Sequence, residues 1–387
     1  MKPTPARRSW MAWILSPPAR ALLATVLALC TGVAACTGGE VGSVGTGAGG
    51  SGLVGSGPGG APGVGGSSLG FAGQKGSAGA SGTGGAVTPG SGGRTGTGGA
   101  PVTGGGGASA GVGGASGGAA GSAGGMDAAA VCARWNADRA NLSEGTWSGS
   151  TATCAAGDLS PDARANALRL VNLYRWLAQL PPVVTDPTKD AQDQQCALMM
   201  RANNMISHTP PTTWLCYTAD GATAAGSSNV SGGQAVSSVD SYMIDPGNPT
   251  TIGHRRWVLS NSLGPIGIGG TDRASCMWTL TGTGRAGKPW MAWPAPGVIP
   301  LAAMMPQARG MTVDQTGWSI QSDTINLANA QVTVTTDGVN MPVTVTQLLA
   351  NYGARYAIRF NPMGWTTTAG KTYVVAVAGV TPVTATA

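Results

Sequence analysis

Residues 241–259 read "SYMIDPGNPTTIGHRRWVL", and "LGPIGIGG" follows at 263–270. The segment "DPGNPTT" is rich in proline and glycine, so it ends one helix and separates it from the next. His254 then lies in the first turn of a short helix. The glycine-rich "PIGIGG" and the apolar "ASCMWTL" are typical of strands. The predictions for this part of the chain are helices over 234–244 and 253–259, followed by two strands.

The other histidine, His208, follows two predicted helices. Ser160-Pro161 and Asp186-Pro187 each place a capping residue before a proline, which is typical of a helix start. Apolar residues then recur at helical spacing, which predicts helices from these prolines to about 180 and about 205. The segment "TPP" prevents the second helix from continuing past His208. Residues 218–233, "TADGATAAGSSNVSGG", are predicted to be a loop.

The first 35 residues resemble a bacterial export signal. The basic start "MKPTPARR" precedes an uncharged apolar run over 21–35, which is too short for a typical membrane-spanning helix. The run ends in "VAAC", which resembles the lipobox of lipoproteins. The resemblance implies cleavage before Cys36, acylation of Cys36, and membrane anchoring at the outer membrane or cell surface. A plain secretory signal cut near Ala35 is the alternative.

Residues 36–126 are predicted to be a disordered tether. They are almost entirely Gly, Ser, Ala, Thr and Val, without apolar periodicity and without the strict Gly-X-Y repeat of collagen. Burying such side chains cannot offset the entropy lost on ordering the backbone, about 1–2 kcal/mol per residue. Ten of the twelve tryptophans follow Met126. Residues 127–387 are therefore expected to form one large domain or two smaller ones.

The charge balance does not favour nucleic acid as a partner. The formal net charge is +6, but without the four basic residues of the first 20 positions, 18 basic residues face 16 acidic ones, a net charge of +2. The excess of basic residues thus belongs mostly to the export signal. It predicts neither nucleic-acid binding nor an anionic surface as partner.

Five cysteines lie in the expected folded body, and an exported location allows them to form disulfides. Their spacing fits no CxxC zinc pattern, and spacing alone does not decide their connectivity. The pairs closest in sequence are Cys132–Cys154 and Cys196–Cys216. With that pairing, Cys276 would be left as a buried free thiol.

Residues 293–387 show the period-two alternation of β-strands. "NAQVTVTTDGVNMPVTV" at 329–345 alternates around Asp337-Gly338, which is a hairpin signal, and "RYAIRF" and "KTYVVAVAGV" predict further strands. Several short strands in about 80 residues indicate a small Ig-like β-sandwich. No cluster of titratable residues occurs there, so we interpret this part as a structural or interaction module.

Three segments, in this order, resemble a known family. "LRLVNLYRWLAQLPPVVTD" (168–186), "AQDQQCALMMRANNMISH" (191–208) and the stretch quoted first are similar to segments of CAP domains, named for cysteine-rich secretory proteins, antigen 5 and pathogenesis-related 1. The resemblance extends from 168 to 278. It implies an α-β-α sandwich with a cleft that holds two histidines and two acidic residues. The predicted architecture is α/β, with a CAP-type domain and N-terminal extension over 127–292 and the β-sandwich over 293–387.

The resemblance transfers a candidate cleft to individual residues. His208 and His254 match the two histidines, and Asp245 matches one acidic position. The other acidic residue of the family lies in a Gly-Glu-Asn motif. Here Ser228 stands in place of the glutamate, while Asn229 is retained, and the resemblance implies a structural hydrogen-bonding role for it.

Two interpretations of the cleft stay open at this point. His208, His254 and Asp245 can hold a zinc ion with water as fourth ligand, but without the glutamate the site lacks a charge and an anchor for a histidine. A hydrogen-bonded polar cluster is the other interpretation. For function, the resemblance implies noncatalytic binding of a lipid, cell-wall or protein ligand. The alternative is a hydrolase of peptide or cell-wall substrates, based on a metal or on Ser228 with a histidine and Asp245.

Overall fold

The computed structural model describes residues 127–280, 282–305 and 310–383, and the backbone of 24–29. All of these residues belong to one compact unit. The predicted acylation site Cys36 and the predicted tether over 36–126 lie outside the described residues, as does most of the predicted export signal. Among the helices described, none has the length and apolar character needed to cross a membrane.

Helices dominate the part of the described chain before residue 260, and strands dominate the part after it. The helices are α1 (Ala128–Arg139), α2 (Pro161–Leu177), α3 (Pro187–Asn203), α4 (Ala219–Ser227), α5 (Ala235–Ile244), α6 (Gly253–Val258), α7 (Leu301–Met304) and α8 (Val313–Thr316). The strands are β1 (Ala24–Leu29), β2 (Ser228–Ser231), β3 (Gly267–Gly270), β4 (Ser275–Trp278), β5 (Met291–Trp293), β6 (Gly297–Ile299), β7 (Trp318–Ser322), β8 (Ile325–Asn326), β9 (Gln331–Thr336), β10 (Val339–Met341), β11 (Val343–Gln347), β12 (Tyr356–Pro362), β13 (Thr372–Ala378) and β14 (Thr381–Pro382).

The four predicted helices are confirmed to within three residues at each end. Proline occupies the first position of α2 and of α3. The Asp186 side chain accepts hydrogen bonds from the backbone N–H groups of Thr188 and Lys189, which caps α3. Helix α3 ends two residues before the predicted position, because Asn204 adopts the left-handed conformation that closes a helix.

The loop predicted over 218–233 is wrong, because this segment forms helix α4 and strand β2. Thr218 caps the helix by accepting a hydrogen bond from the N–H of Gly221 (3.0 Å). The small residues of α4 carry no apolar periodicity, so the sequence gives no helical signal. They allow close packing instead, since a Cβ added at Gly221 would lie 3.1 Å from the backbone of Gln195 in α3.

Strands β2, β4 and β3 form an antiparallel sheet in that order. Helix α3 covers one face, and α2 and α5 pack on the other, which gives three layers. A Cβ added at Gly267 or Gly269 would overlap Lys189, Asp193 or Gln194 of α3. The glycines of "PIGIGG" therefore allow the helix to lie directly against the strand.

The second half contains two larger sheets, with strand orders β10-β9-β13-β1-β6 and β11-β12-β7-β5, and the pair β14-β8. The predicted hairpin is confirmed, since Asp337 and Gly338 join β9 to β10 with φ of 50° and 78°. The rings of Trp318 in β7 and Tyr373 in β13 lie 5.7 Å apart, so the two sheets face each other. Strand β1 comes from the apolar run of the predicted export signal, and it pairs antiparallel with β13 and parallel with β6.

The helical half and the strand half share one hydrophobic core. The ring of Tyr174 in α2 lies 5.4 Å from that of Trp293 in β5, edge to face. The domain boundary predicted between 292 and 293 falls inside β5, which pairs with β7. The two halves therefore meet across a buried face.

The expected disulfide pairing is wrong. Cys154 is bonded to Cys216 and Cys196 to Cys276. Cys132 is also disulfide-bonded, but not to Cys154, and none of the five described cysteines is free. The sequence distance between partners misled the prediction, because α3 packs on β4 and so brings Cys196 to Cys276. Disulfides indicate an oxidising environment.

Candidate functional site

The two histidines come from different segments and lie near each other. His208 lies in the connection after α3, and His254 is the second residue of α6. The two rings are close enough for a charge on His254 to lower the pKa of His208. His208 is exposed and His254 is half-buried, so both remain accessible to a ligand.

Asp245 fixes the ring of His254. Its buried carboxylate accepts hydrogen bonds from the backbone N–H of His254 (2.9 Å) and from Nδ1–H of the same residue (2.8 Å). It also accepts one from the side-chain amide of Asn248 (2.6 Å). A carboxylate can only accept, so the proton of a neutral His254 is on Nδ1 and Nε2 is a hydrogen-bond acceptor.

His208 is held in the same tautomer by a different group. Its Nδ1 lies 2.9 Å from the backbone oxygen of Ala225 in α4, which can only accept. Desolvation by the surrounding protein lowers the pKa of His208, and the nearby His254 lowers it further. The hydrogen bond to Ala225 raises the pKa and so opposes both effects. His208 is therefore neutral at pH 7, with Nε2 as an acceptor.

Asn229 ties the helix that carries His254 to the central sheet. Its side-chain amide donates to the backbone oxygen of His254 (3.1 Å), and its side-chain oxygen accepts from the hydroxyl of Thr279 (3.1 Å). Tyr242 donates to the backbone oxygen of Asn229 (3.1 Å) and packs its ring 5.1 Å from that of His254. The resemblance implied this structural role for Asn229.

Ser228 does not meet either histidine. It is fully buried on the face of the sheet covered by α3, and its Oγ lies 2.7 Å from Oδ1 of Asp193. The serine–histidine–aspartate arrangement that the sequence allowed is therefore not formed. Asp193 also accepts from the backbone N–H of Trp278 (2.7 Å), and burial raises its pKa to about 8.

Sequence reasoning missed Asp193. The only indication in the sequence is that Asp193 lies on the face of α3 that packs on the sheet, together with Gln194 and Cys196. A helical pattern of this kind does not show how deep a residue lies. The burial follows from the glycines of β3, which allow α3 to approach.

The side chains present do not fit a zinc site with three or four protein ligands. Within the described ranges, no three His, Cys, Asp or Glu residues are grouped so that they could hold a metal ion. Asp245, the candidate third ligand, uses both carboxylate oxygens on His254 and Asn248. Two imidazoles are fewer than the three protein ligands of a catalytic zinc site.

Two cavities lie away from the histidines. One, of about 380 Å³, is lined by residues that include Asp158, Arg164 and Gln194. The other, of about 260 Å³, is lined by residues that include Pro182 and Leu263. Neither of these cavities is lined by His208 or His254. The histidine pair thus lies outside both of these open pockets.

One family model matches the segment that carries both histidines. Residues 168–273 match the family model described as CAP, the cysteine-rich secretory protein family. The matched segment runs from α2 to the turn before β4 and includes both histidines, Asn229 and Asp245. No curated protein and no solved structure matches the chain. The family resemblance predicted from the sequence is confirmed over this segment.

Proposed function

We propose, from the match of residues 168–273 to the CAP family, that this chain is a noncatalytic binding protein whose ligand docks at His208 and His254. One observation carries the proposal. Each imidazole is fixed through Nδ1, by Ala225 or by Asp245. Among the described residues, neither Nε2 has a hydrogen-bond partner. Two accessible acceptors held in fixed orientations are suited to recognising a hydrogen-bond donor.

The same geometry argues against hydrolysis. An Asp–His pair can act as a general base, but covalent hydrolysis also needs a nucleophile within hydrogen-bond reach of it. In the part of the chain that the structure describes, no serine, threonine or cysteine side chain makes a hydrogen bond to either histidine ring. Ser228, the nucleophile considered from the sequence, is buried against Asp193.

For location, we propose export, cleavage before Cys36, which would remove strand β1, and lipid anchoring of the remaining chain at Cys36, at the outer membrane or cell surface. The lipobox "VAAC" supports the anchor, and the disulfides support an oxidising compartment. The Gly-rich segment over 36–126 would then hold the folded body away from the membrane. At that location, the ligands accessible to the folded body would be lipids, cell-wall material and proteins.

Loss of binding in a histidine variant tests the proposal. The full chain is screened against lipid vesicles, peptidoglycan fragments and short peptides, and affinity is measured for the probe that binds. We expect His208→Ala to weaken that binding about tenfold or more, because a fixed acceptor is lost. Thr212→Ala, an exposed change in the same connection, is the matched control. Equal affinity of wild type, His208→Ala and His254→Ala would reject the histidine site.

A zinc titration tests the metal-dependent hydrolase, the second candidate. With tag-free full chain in a calorimeter, we expect no saturable single-site binding, because the site offers two imidazoles and no free carboxylate. Since the chain has only two histidines, His208→Ala is a clean control. Saturable binding that disappears in His208→Ala would contradict this expectation and would make an assay for hydrolysis the next step.

A further inference from the structure

A loop of the strand half contacts the segment that carries His254. The N–H of Leu349 donates to the backbone oxygen of Thr250 (2.9 Å). The guanidinium of Arg256 donates to the backbone oxygens of Leu349 (2.7 Å) and Ala354 (3.0 Å). Residues 348–354, which we call the strand-half loop, are thus fixed both to the turn before α6, through Thr250, and to α6 itself, through Arg256.

Tyr352 of this loop lies against Gly253, the residue before His254. A Cβ added at Gly253 would be 2.9 Å from Cδ1 of Tyr352, so the ring occupies the space that a larger residue would need. Ile252 adopts a left-handed backbone conformation (φ 43°), which is unfavourable for a β-branched residue, and it is buried against Leu348. The strand-half loop therefore helps to fix where α6 begins, and with it the position of His254.

Exposed apolar side chains accompany both histidines. In the strand-half loop, which contacts the residues on either side of His254, Leu349 is 56% and Tyr352 38% exposed. In the connection that carries His208, Met205 is 60% and Ile206 48% exposed. Leu215, 65% exposed, lies at the same end of α3, because both its backbone N–H and its backbone oxygen are hydrogen-bonded to the Asn203 side chain. Grouped apolar exposure next to fixed polar groups marks a binding surface.

Two charged side chains near this surface already have partners inside the protein, so neither offers a free charge to a ligand. The carboxylate of Asp245 is buried and bonded to His254 and Asn248, and the guanidinium of Arg256 is buried and bonded to backbone oxygens. What the surface offers is two hydrogen-bond acceptors with apolar groups beside each. An extended peptide complements this pattern, because its backbone presents N–H donors while successive side chains point to opposite sides.

We propose that the histidine pair and the two apolar groups form one face that binds an extended, uncharged peptide segment, with Leu349 and Tyr352 of the strand-half loop as specificity-determining residues. This rests on the proposed function, since the same histidines are used. It adds the class of ligand and a part of the site that lies outside the segment matched to the CAP family.

The test uses full chain and short peptides that are acetylated at the N-terminus and amidated at the C-terminus. One set carries only aliphatic and aromatic side chains with Ser and Thr, and a second set has Lys or Glu in place of two apolar residues. Leu349→Ser is the main variant, because its backbone makes the structural contacts and its side chain is exposed. Met363→Ser is the matched control, an exposed apolar residue of the strand half at 53%.

We expect the uncharged peptides to bind best, and Leu349→Ser to weaken them about tenfold while Met363→Ser leaves affinity unchanged. Melting temperature is measured for each variant to confirm folding. Peptide binding lost in His208→Ala but retained in both Leu349→Ser and Tyr352→Ala would overturn the role of the loop and leave the histidine site standing. Binding of vesicles or peptidoglycan but no peptide, dependent on His208, would overturn the ligand class alone. Binding of no probe in a histidine-dependent way would overturn both proposals.

Discussion

Arg255→Ala is expected to lower the free energy of unfolding by about 4 kcal/mol or more, through loss of a buried hydrogen-bond network. Arg255 is fully buried between the two halves of the protein. It donates to the backbone oxygens of Met243 (2.6 Å), Ile244 (3.0 Å) and Gly317 (2.6 Å). It also donates to the hydroxyl of Thr316 (2.9 Å). With alanine at this position, the four acceptors would lose their donor. A void the size of the guanidinium would also remain in the core.

The charge of Arg255 is stabilised without a directly bonded carboxylate. Met243 and Ile244 are the last residues of α5, so their oxygens form the negative end of that helix. Burial lowers the pKa of Arg255 to about 10, which still leaves it charged at neutral pH. Since Gly317 and Thr316 belong to the strand half, we also expect the two halves to unfold in one transition.

Urea unfolding of the full chain measures this effect, with Arg285→Ala as control. Arg285 is exposed, and within the described residues its side chain makes no hydrogen bond or ion pair. Arg255→Lys should fall between wild type and Arg255→Ala, because a lysine keeps the charge but cannot reach the same set of acceptors. Arg255→Ala and Arg285→Ala of equal stability would mean that the network contributes little.

The parts of the fold that were predictable are those fixed by local chemistry. Pro161 and Pro187 each occupy the first position of a helix, although only Asp186, and not Ser160, caps its helix with its side chain. Asp337-Gly338 forms its turn from local backbone conformation alone. Helix α4 and the disulfides escaped prediction because they depend on packing. The small residues of α4 form a helix because they pack closely against α3. Cys196 is bonded to Cys276 because α3 packs on β4.

Some residues of the candidate site could be predicted from the sequence, and others could not. Family resemblance located His208, His254 and Asp245, and the structure gives His254 and Asp245 a direct hydrogen bond. Sequence reasoning could not find Tyr352, which is nearly a hundred residues from Gly253 and carries no motif. It also could not show that Ser228 faces α3, because the alternation of a four-residue strand inside a supposed loop is not visible in the sequence.

Asp193→Asn is expected to be neutral near pH 4 and stabilising by several kcal/mol at pH 8. Burial raises the pKa of Asp193 to about 8 in the folded protein, against about 4 in the unfolded chain. Between these values the unfolded chain has released a proton that the folded protein keeps, so the stability of the wild type falls as pH rises. Asparagine mimics the protonated acid, because its amide can donate to Ser228 Oγ and its oxygen can accept from the Trp278 N–H.

Urea unfolding at pH 5 and pH 8 measures the difference between Asp193→Asn and the wild type, which removes the contribution of every other titrating group. Asp272→Asn is the control with the opposite sign. Its hydrogen bond to Arg201 lowers the pKa of the exposed Asp272, so its loss should cost a little stability at both pH values. If the difference in free energy of unfolding between Asp193→Asn and the wild type is the same at pH 5 and pH 8, Asp193 has an ordinary carboxyl pKa. The hydrogen bonds from Ser228 and Trp278 would then offset the effect of burial on the carboxyl.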